Sequence, residues 1–142
     1  MSINFNKLSN SNPCVIAETA CGHDGNFKKL QVLIDIAKRS GSKAIKFQIY
    51  KLSERANKKT KEEKIFKRLL LSDFEWEKAV NFAHKKGLFV FADIFGYESL
   101  KLAEKIKVDA YKIHSEDTLN FDFIKKVIKT NKIVMIGIGG SH

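Results

Sequence analysis

The chain has 142 residues, 44% of them hydrophobic and 30% charged, a length and balance that fit one folded domain and exclude the disordered, collagen-like and disulfide-scaffold classes. No run approaches the roughly 18 apolar residues of a membrane span, and Met1 to Lys7 lack the apolar core of a signal peptide, so a cytoplasmic protein with no membrane partner and with Cys14 and Cys21 reduced is expected. The net charge is +10, but 23 of the 26 basic residues are lysine, which on helices is usually a solvated face rather than the arginine fork of base and phosphate readers.

Short apolar runs alternate with longer segments that carry apolar residues at helical spacing, and the alternation recurs five times. Cys14 to Glu18 predicts the first strand. The loop after it contains Gly22 and Gly25, which let backbone N–H groups approach a ligand, and His23, a candidate donor or proton carrier. Asn26 then supplies an N-cap, Leu30, Leu33, Ile34 and Ala37 one apolar face, and Gly41 a stop for the first helix. Ala44 to Gln48 predicts the second strand. The long connection from Lys51 to Arg68 sets eight basic residues against Glu54, Glu62 and Glu63; it is expected to face solvent, with a nucleic acid or other anionic partner as the alternative, and to hold an extra helical turn around Ile65 to Leu71.

Ser72-Asp73-Phe74-Glu75 has the spacing of a capping box and opens a helix that runs through Trp76, Val80 and Ala83 to Gly87. Leu88 to Asp93 predicts the third strand, Leu100, Ala103 and Ile106 a short helix, and Ala110 to His114 the fourth strand. Phe123, Ile124, Val127 and Ile128 mark a helix that stops near Asn131, and Ile133 to Gly137 predicts the fifth strand. Gly137 to Ser141 could form a backbone nest for an anion, although it lacks the spacing of a P-loop or dinucleotide fingerprint.

Alternating strands and helices predict a parallel α/β sheet, for which two architectures compete. A five-stranded doubly wound sheet would be complete at this length, whereas a (β/α)₈ barrel needs roughly 250 residues. Strand starts recur about every 30 residues, so eight units would need about 240. Strand composition favours the barrel, because Glu18, Lys46, Gln48, Asp93, Lys112 and His114 fall in the later halves or at the C-terminal ends of the strands. A doubly wound strand would be apolar there, while a barrel gathers its chemistry there. The expected fold is the N-terminal portion, about five βα units, of a TIM-type barrel, with the doubly wound sheet as alternative.

Lys46 and Lys112 carry the most information, since a lysine within an apolar strand must reach solvent, a carboxylate or a bound anion. Facing one cavity, the two would repel each other until an anion arrived, which points to a phosphorylated or carboxylated ligand. The competing expectation is that each reaches solvent or pairs with Glu18 or Asp93. No close cluster of histidine, cysteine and carboxylate is present, so no metal site is expected within this chain.

Taken together, the motifs resemble a family. Ala17-Glu18-Thr-Ala-Cys-Gly-His23-Asp-Gly25 is similar to the A-E-I-G-x-N-H-x-G opening of the N-acetylneuraminate (sialic acid) synthases, Ala44-Ile-Lys46-Phe47-Gln48 to their A-V-K-F-Q strand, and Asp109-Ala-Tyr111-Lys112-Ile113-His-Ser115 to their Y-K-I-A-S strand. Leu71-Ser72 and Phe95-Gly-Tyr-Glu98-Ser99 stand in family order between them. The resemblance spans residues 14 to 142 and implies a (β/α)₈ barrel that condenses phosphoenolpyruvate with an N-acylated amino sugar, such as N-acetylmannosamine, to a nine-carbon sialic-type acid with release of phosphate. It implies Glu18, Lys46 and Lys112 as catalytic residues, with Glu18 near the reacting centre. Lys46, Lys112 and Ser115 would hold phosphoenolpyruvate, and Gln48, Asp117, His23 and Asp93 would line the substrate site. A divalent metal, Mn or Mg, would polarise the sugar carbonyl, with its ligands on strands six to eight.

The sequence departs from the family at Gly22 in place of asparagine, at Glu116-Asp117 in place of Gly-Glu, at His114 in place of a small residue, and at Asp93-Ile-Phe in place of T-P-F. The last puts a charge where a hydroxyl stands, and a different amino sugar is one reading of such changes. Residues 1 to 142 match one part of the family barrel, so a truncated or split synthase is expected, with the C-terminal half of the barrel and an antifreeze-like domain outside it. A complete enzyme would be a homodimer, and a split one would need a complementing chain. From another class, a non-catalytic anion-binding module would use the same lysines.

Overall fold

The computed structural model describes residues 14–139. Met1 to Lys7, Gly140, Ser141 and His142 lie outside that range. Five parallel strands, β1 (Ile16–Glu18), β2 (Ala44–Ile49), β3 (Phe89–Ile94), β4 (Ala110–Ile113) and β5 (Ile133–Ile136), pair in strictly sequential order. That order decides the architecture. A doubly wound sheet must reverse direction at a switch point, with helices on both faces. Four right-handed crossovers that all step the same way place every helix on one face and leave the other as the lining of a barrel. The doubly wound alternative is thereby corrected, and the chain is the five-unit part of a TIM-type (β/α) barrel.

The connections are α1 (Phe27–Arg39) between β1 and β2, α2 (Leu52–Arg55), α3 (Lys61–Arg68) and α4 (Asp73–Lys85) between β2 and β3, α5 (Tyr97–Lys105) after β3, and α6 (Phe121–Ile128) after β4. Their termini follow local chemistry. The Asn26 side chain accepts from Lys29 N at 3.2 Å to open α1. Ser72 and Glu75 form a reciprocal capping box at α4, which holds the Glu75 carboxyl below its usual range. Thr60 caps α3, so this helix begins and ends earlier than the turn expected at Ile65 to Leu71, and its apolar Phe66 reaches Tyr50 across the loop. The sixth helix closes at Ile128, before Asn131, which turns the chain with a φ of 57°.

Two apolar clusters form, one on each face of the sheet. On the outer face Ile45, Phe47, Ile49, Val90, Ala92, Ile94, Tyr111 and Ile113 pack under Leu30, Ile34, Trp76, Val80, Leu100, Phe123 and Val127 of the helices. On the inner face Ala44, Phe89, Phe91 and Ala110 form a smaller cluster with half-buried Ile16, Ile133 and Met135. The period-2 alternation of each strand makes this division. At the N-terminal end of the sheet, Asp109 accepts from Val90 N at 2.7 Å and meets His84 Nε2 at 2.8 Å, which ties α4 to the start of β4.

Gly25 marks where the first loop docks. Its φ is 68°, and a Cβ there would lie 2.2 Å from the backbone oxygen of Arg68. The loop expected to approach a ligand through Gly25 instead meets the end of α3. Gly25→Ala is expected to cost about 2–4 kcal/mol from backbone strain and overpacking together. Gly41→Ala, at a φ of 83° with nothing within 4 Å of the added Cβ, costs the strain alone, about 1 kcal/mol. Urea unfolding of the two variants checks the difference.

Candidate active site

Register places the polar strand residues together. In a parallel sheet, paired residues on neighbouring strands share a face, so Glu18, Lys46, Phe91, Ala110 and Ile133 form one inner row, and Gln48, Asp93, Lys112 and Met135 the row above it. The expected cation pair is not a pair of bare cations. Lys46 Nζ lies 2.5 Å from Glu18 Oε2, and Lys112 Nζ lies 2.8 Å from Asp93 Oδ2. Each lysine is neutralised by a carboxylate on the adjoining strand, because an unpaired charge among these apolar neighbours is costly. Glu18 also accepts from Ala20 N at 3.0 Å through Oε1, which fixes the carboxylate at the strand end.

Asp93 is 1% exposed, and only one of its oxygens has a partner. Among the described residues three buried side-chain polar atoms lack any hydrogen-bond partner: Asp93 Oδ1, His114 Nδ1 and Arg55 Nε. All three lie at the C-terminal ends of β2 to β4 or on the helix packed over them. His114 follows β4 and packs its ring 5.3 Å from the Phe95 ring. The Arg55 guanidinium lies 4.9 Å from that same ring centroid and 4.2 Å from that of Phe66. Tyr50 completes the rim, edge-on to Phe66 and to Phe95 at 5.6 and 6.0 Å. Burial raises its hydroxyl to about 12, and the hydroxyl donates to Phe66 O.

The remaining sequence-derived residues divide. Gln48 sits in the upper row, where its Oε1 accepts a weak bond from Cys21 Sγ at 3.8 Å. Burial pushes the Cys21 thiol up, and the Arg55 charge pulls it partly back. Both cysteines are free thiols. Ser115 and Asp117 form a 3₁₀ turn directly above β4. Burial raises the Asp117 carboxyl against the hydrogen bond from Asn120 that lowers it. Gly137 donates to Ile113 O at 2.9 Å and so extends the ladder, and a Cβ there would sit 3.2 Å from Ser115 N and 3.7 Å from Lys112 Cε. The expected nest thus begins as strand, and its last two residues lie outside the described range.

His23 does not join this group. It is 1% exposed, packs edge-on to Trp76 at 5.7 Å, and accepts from Gly25 N at 3.1 Å through Nδ1. Its surroundings are those of a loop-fixing core residue. Sequence reading passed over Arg55, Tyr50 and Phe95, because a charge count over Lys51 to Arg68 averages one clamped arginine with many solvated lysines. Glu54, next to Arg55, accepts from Glu98 N at 2.7 Å and Ser99 N at 2.9 Å and so caps α5. Arg55 and Glu54 of the basic segment are thus built into the structure beside β3, while Lys58, Lys59, Lys61, Lys64, Lys67 and Arg68 are exposed, as expected of a solvent-facing stretch.

Among the described residues no group of three or more histidine, cysteine, aspartate and glutamate side chains could hold a metal ion. Glu18 and Asp93 are each engaged by a lysine, so the donors in place do not fit Mn or Mg. No described helix is long and apolar enough to cross a membrane.

The described residues thus form a five-unit segment of a parallel (β/α) barrel with paired charges on its inner, C-terminal side. Residues 33–142 match the NeuB family, and the chain belongs to it. It is 25% identical over 139 residues to N,N'-diacetyllegionaminic acid synthase of Campylobacter jejuni, covering 88% of this chain and 42% of that protein. It is 24% identical over 146 residues to human N-acetylneuraminate-9-phosphate synthase, covering 93% and 41%. The crystal structure of an N-acetylneuraminic acid synthetase from Leptospira borgpetersenii in complex with citrate superposes with a TM-score of 0.86 at 27% identity, over 92% of this chain and 46% of that one. The chain spans about two fifths of the length of these curated relatives.

Burial lowers the His23 pKa below its ordinary 6.5, against a smaller raising effect of Asp24. The unfolded chain therefore takes up a proton just below 6.5 that the folded chain does not, and stability falls as pH drops from about 7 towards 5. His23→Gln is expected to flatten that slope, as measured by urea midpoints across the window.

Proposed function

We propose that the polypeptide carrying this chain is a sialic-acid-type synthase that joins phosphoenolpyruvate to an N-acylated amino sugar, with uptake of one water and release of inorganic phosphate, and so is a transferase that forms a carbon–carbon bond. The observation that carries the reading is the convergence of Lys46 and Lys112 on one inner face, with Asp93 Oδ1 beside Lys112 and His114 Nδ1 beyond it both lacking a partner. Buried polar atoms in native proteins are nearly always satisfied, so orphans gathered at the catalytic end of a barrel indicate a ligand.

The ion pairs set how the ligand binds. Phosphoenolpyruvate offers a phosphate and a carboxylate, and each displaces a protein carboxylate from a lysine. A dianionic phosphate outcompetes the single charge of Asp93 for Lys112, with Ser115 on the turn above adding its donors. Glu18, released from Lys46 in the same exchange, is left as an anchored carboxylate beside the reacting carbon. Gln48 and Asp93 stand in the same upper row to receive hydroxyl or amide donors of the sugar, and Asp117 lies on the turn after β4. Charge that develops on the enol during bond formation is held by the fixed lysines without reorganisation.

The reading also requires a closed barrel. Strand β5 is an edge among the described strands, and Leu119, Phe121, Ile136 and Ile138 near it are exposed by 82, 64, 46 and 76%. Apolar surface of that kind supports further strands beyond β5, on the same polypeptide or on a complementing chain.

The test is synthesis by the polypeptide as its gene encodes it, given phosphoenolpyruvate, an N-acylated amino sugar and manganese, with phosphate release and a nine-carbon keto acid as readouts. Lys112→Ala is expected to raise KM for phosphoenolpyruvate about 10- to 100-fold, as befits a lost charge-assisted bond, while KM for the sugar moves less than about threefold. Equal loss for both substrates, or no phosphate release by the unaltered protein, would overturn the reading.

A further inference from the structure

Arg55 has an environment that packing alone does not explain. Its guanidinium lies against Phe66 and Phe95, at 4.2 and 4.9 Å from their ring centroids. Contact with two aromatic rings attracts the charge but offers its N–H donors no oxygen acceptor. No carboxylate lies within 4.0 Å of it among the described residues, and its buried Nε has no partner. The neighbouring carboxylate that would neutralise it, Glu54, is turned away to the backbone N–H groups of Glu98 and Ser99.

A second orphan stands beside the first. His114 packs its ring 5.3 Å from the Phe95 ring, and its Nδ1 is buried without a partner. Both unsatisfied groups belong to side chains in contact with one aromatic ring. His114 lies two residues past Lys112, about 7 Å further out along the strand direction than that lysine. That is the mouth of the barrel, where the part of a second substrate farthest from the bond being formed would lie.

We infer that Arg55 and His114 form a separate anion subsite at the barrel mouth, which takes a phosphate group carried by the amino-sugar substrate. The inference rests on the synthase reading for the identity of the sugar, though the subsite itself does not. A planar guanidinium held against two aromatic rings can donate two parallel bonds to phosphate oxygens. The deeper Lys46 and Lys112 already complement the two charged groups of phosphoenolpyruvate, so the outer cation is left for the other reactant. Aromatic walls keep the site poorly hydrated, which strengthens the charged bonds that form in it.

Calorimetric titration of the polypeptide as its gene encodes it, with N-acetylmannosamine, N-acetylmannosamine 6-phosphate, phosphoenolpyruvate and inorganic phosphate, tests the assignment. The unaltered protein is expected to bind the 6-phosphate at least tenfold tighter than the free sugar. Arg55→Gln should abolish that preference while leaving phosphoenolpyruvate affinity within about threefold, and Arg55→Lys should restore part of it. Lack of preference in the unaltered protein overturns the inference whether or not the variant folds. So does a loss in Arg55→Gln that falls equally on both sugars, which marks a purely structural clamp, or one that falls on phosphoenolpyruvate, which assigns Arg55 to the first substrate. A protein that binds the sugar phosphate through Arg55 yet fails to bind phosphoenolpyruvate would retain the subsite and defeat the synthase reading.

Discussion

The site depends on the parallel register between neighbouring strands, which sets Glu18 beside Lys46 and Asp93 beside Lys112 on the inner face of the sheet. A one-residue slip in any pairing would move a charge to the helix-covered face, where no partner waits, so the outer apolar cluster and the inner ion pairs enforce the same register. Each pair is neutral as a unit. Its desolvation cost is offset by a short, partly buried contact, and a half-pair would be left uncompensated. Under the proposed function, an anion reaches either lysine only by displacing its carboxylate, a condition that favours a doubly charged phosphate over chloride or a lone carboxylate.

The segment between β2 and β3 turns a charge-rich stretch into part of the cavity wall. Glu54 caps α5 and therefore does not neutralise Arg55 next to it. Arg55 is instead gripped by Phe66 and Phe95, and Tyr50 braces both rings. The end of α3 receives Gly25 of the first loop, where any side chain would strike Arg68 O. One contact thus relays to the next, from the loop after β1 through α3 to the aromatic rim above β3 and β4. The lysines of this segment that no carboxylate holds are left to solvent, which is the ordinary use of that residue on a helix.

Much of the fold was legible from periodicity. The strands fall within a residue or two of the apolar runs, and Asn26, Ser72 and Glu75 act at the helix starts as their spacing indicates. The barrel reading rested on polar residues at the strand ends, and the sequential sheet order agrees because Gln48, Asp93 and Lys112 could occupy one row only on a face free of helices. What the sequence did not disclose were contacts between distant residues. The neutralisation of each lysine was one of two readings left open, and only register chose between them. The burial of His23 against Trp76 joins residues 53 positions apart, across the first helix. Arg55 was hidden by the averaging of charge over its segment, although Tyr50, Phe66 and Phe95 around it are aromatic residues that charge counting ignores.

The two faces of the sheet differ in what holds them. The outer face is sealed by helices whose apolar sides interlock with Phe47, Ile94 and Tyr111, and Tyr111 also meets Glu104 and Lys132 in a polar seam whose hydrogen bonds outweigh desolvation and hold the Glu104 carboxyl below its usual range. The inner face has a thin apolar floor of Ala44, Phe89, Phe91 and Ala110, with ion pairs above it. Stability is therefore stored on the helix side, and the cavity side carries the charges and unsatisfied groups. That separation lets the inner residues exchange partners when a ligand binds without loosening the core, because the groups that move are those the outer layer does not depend on.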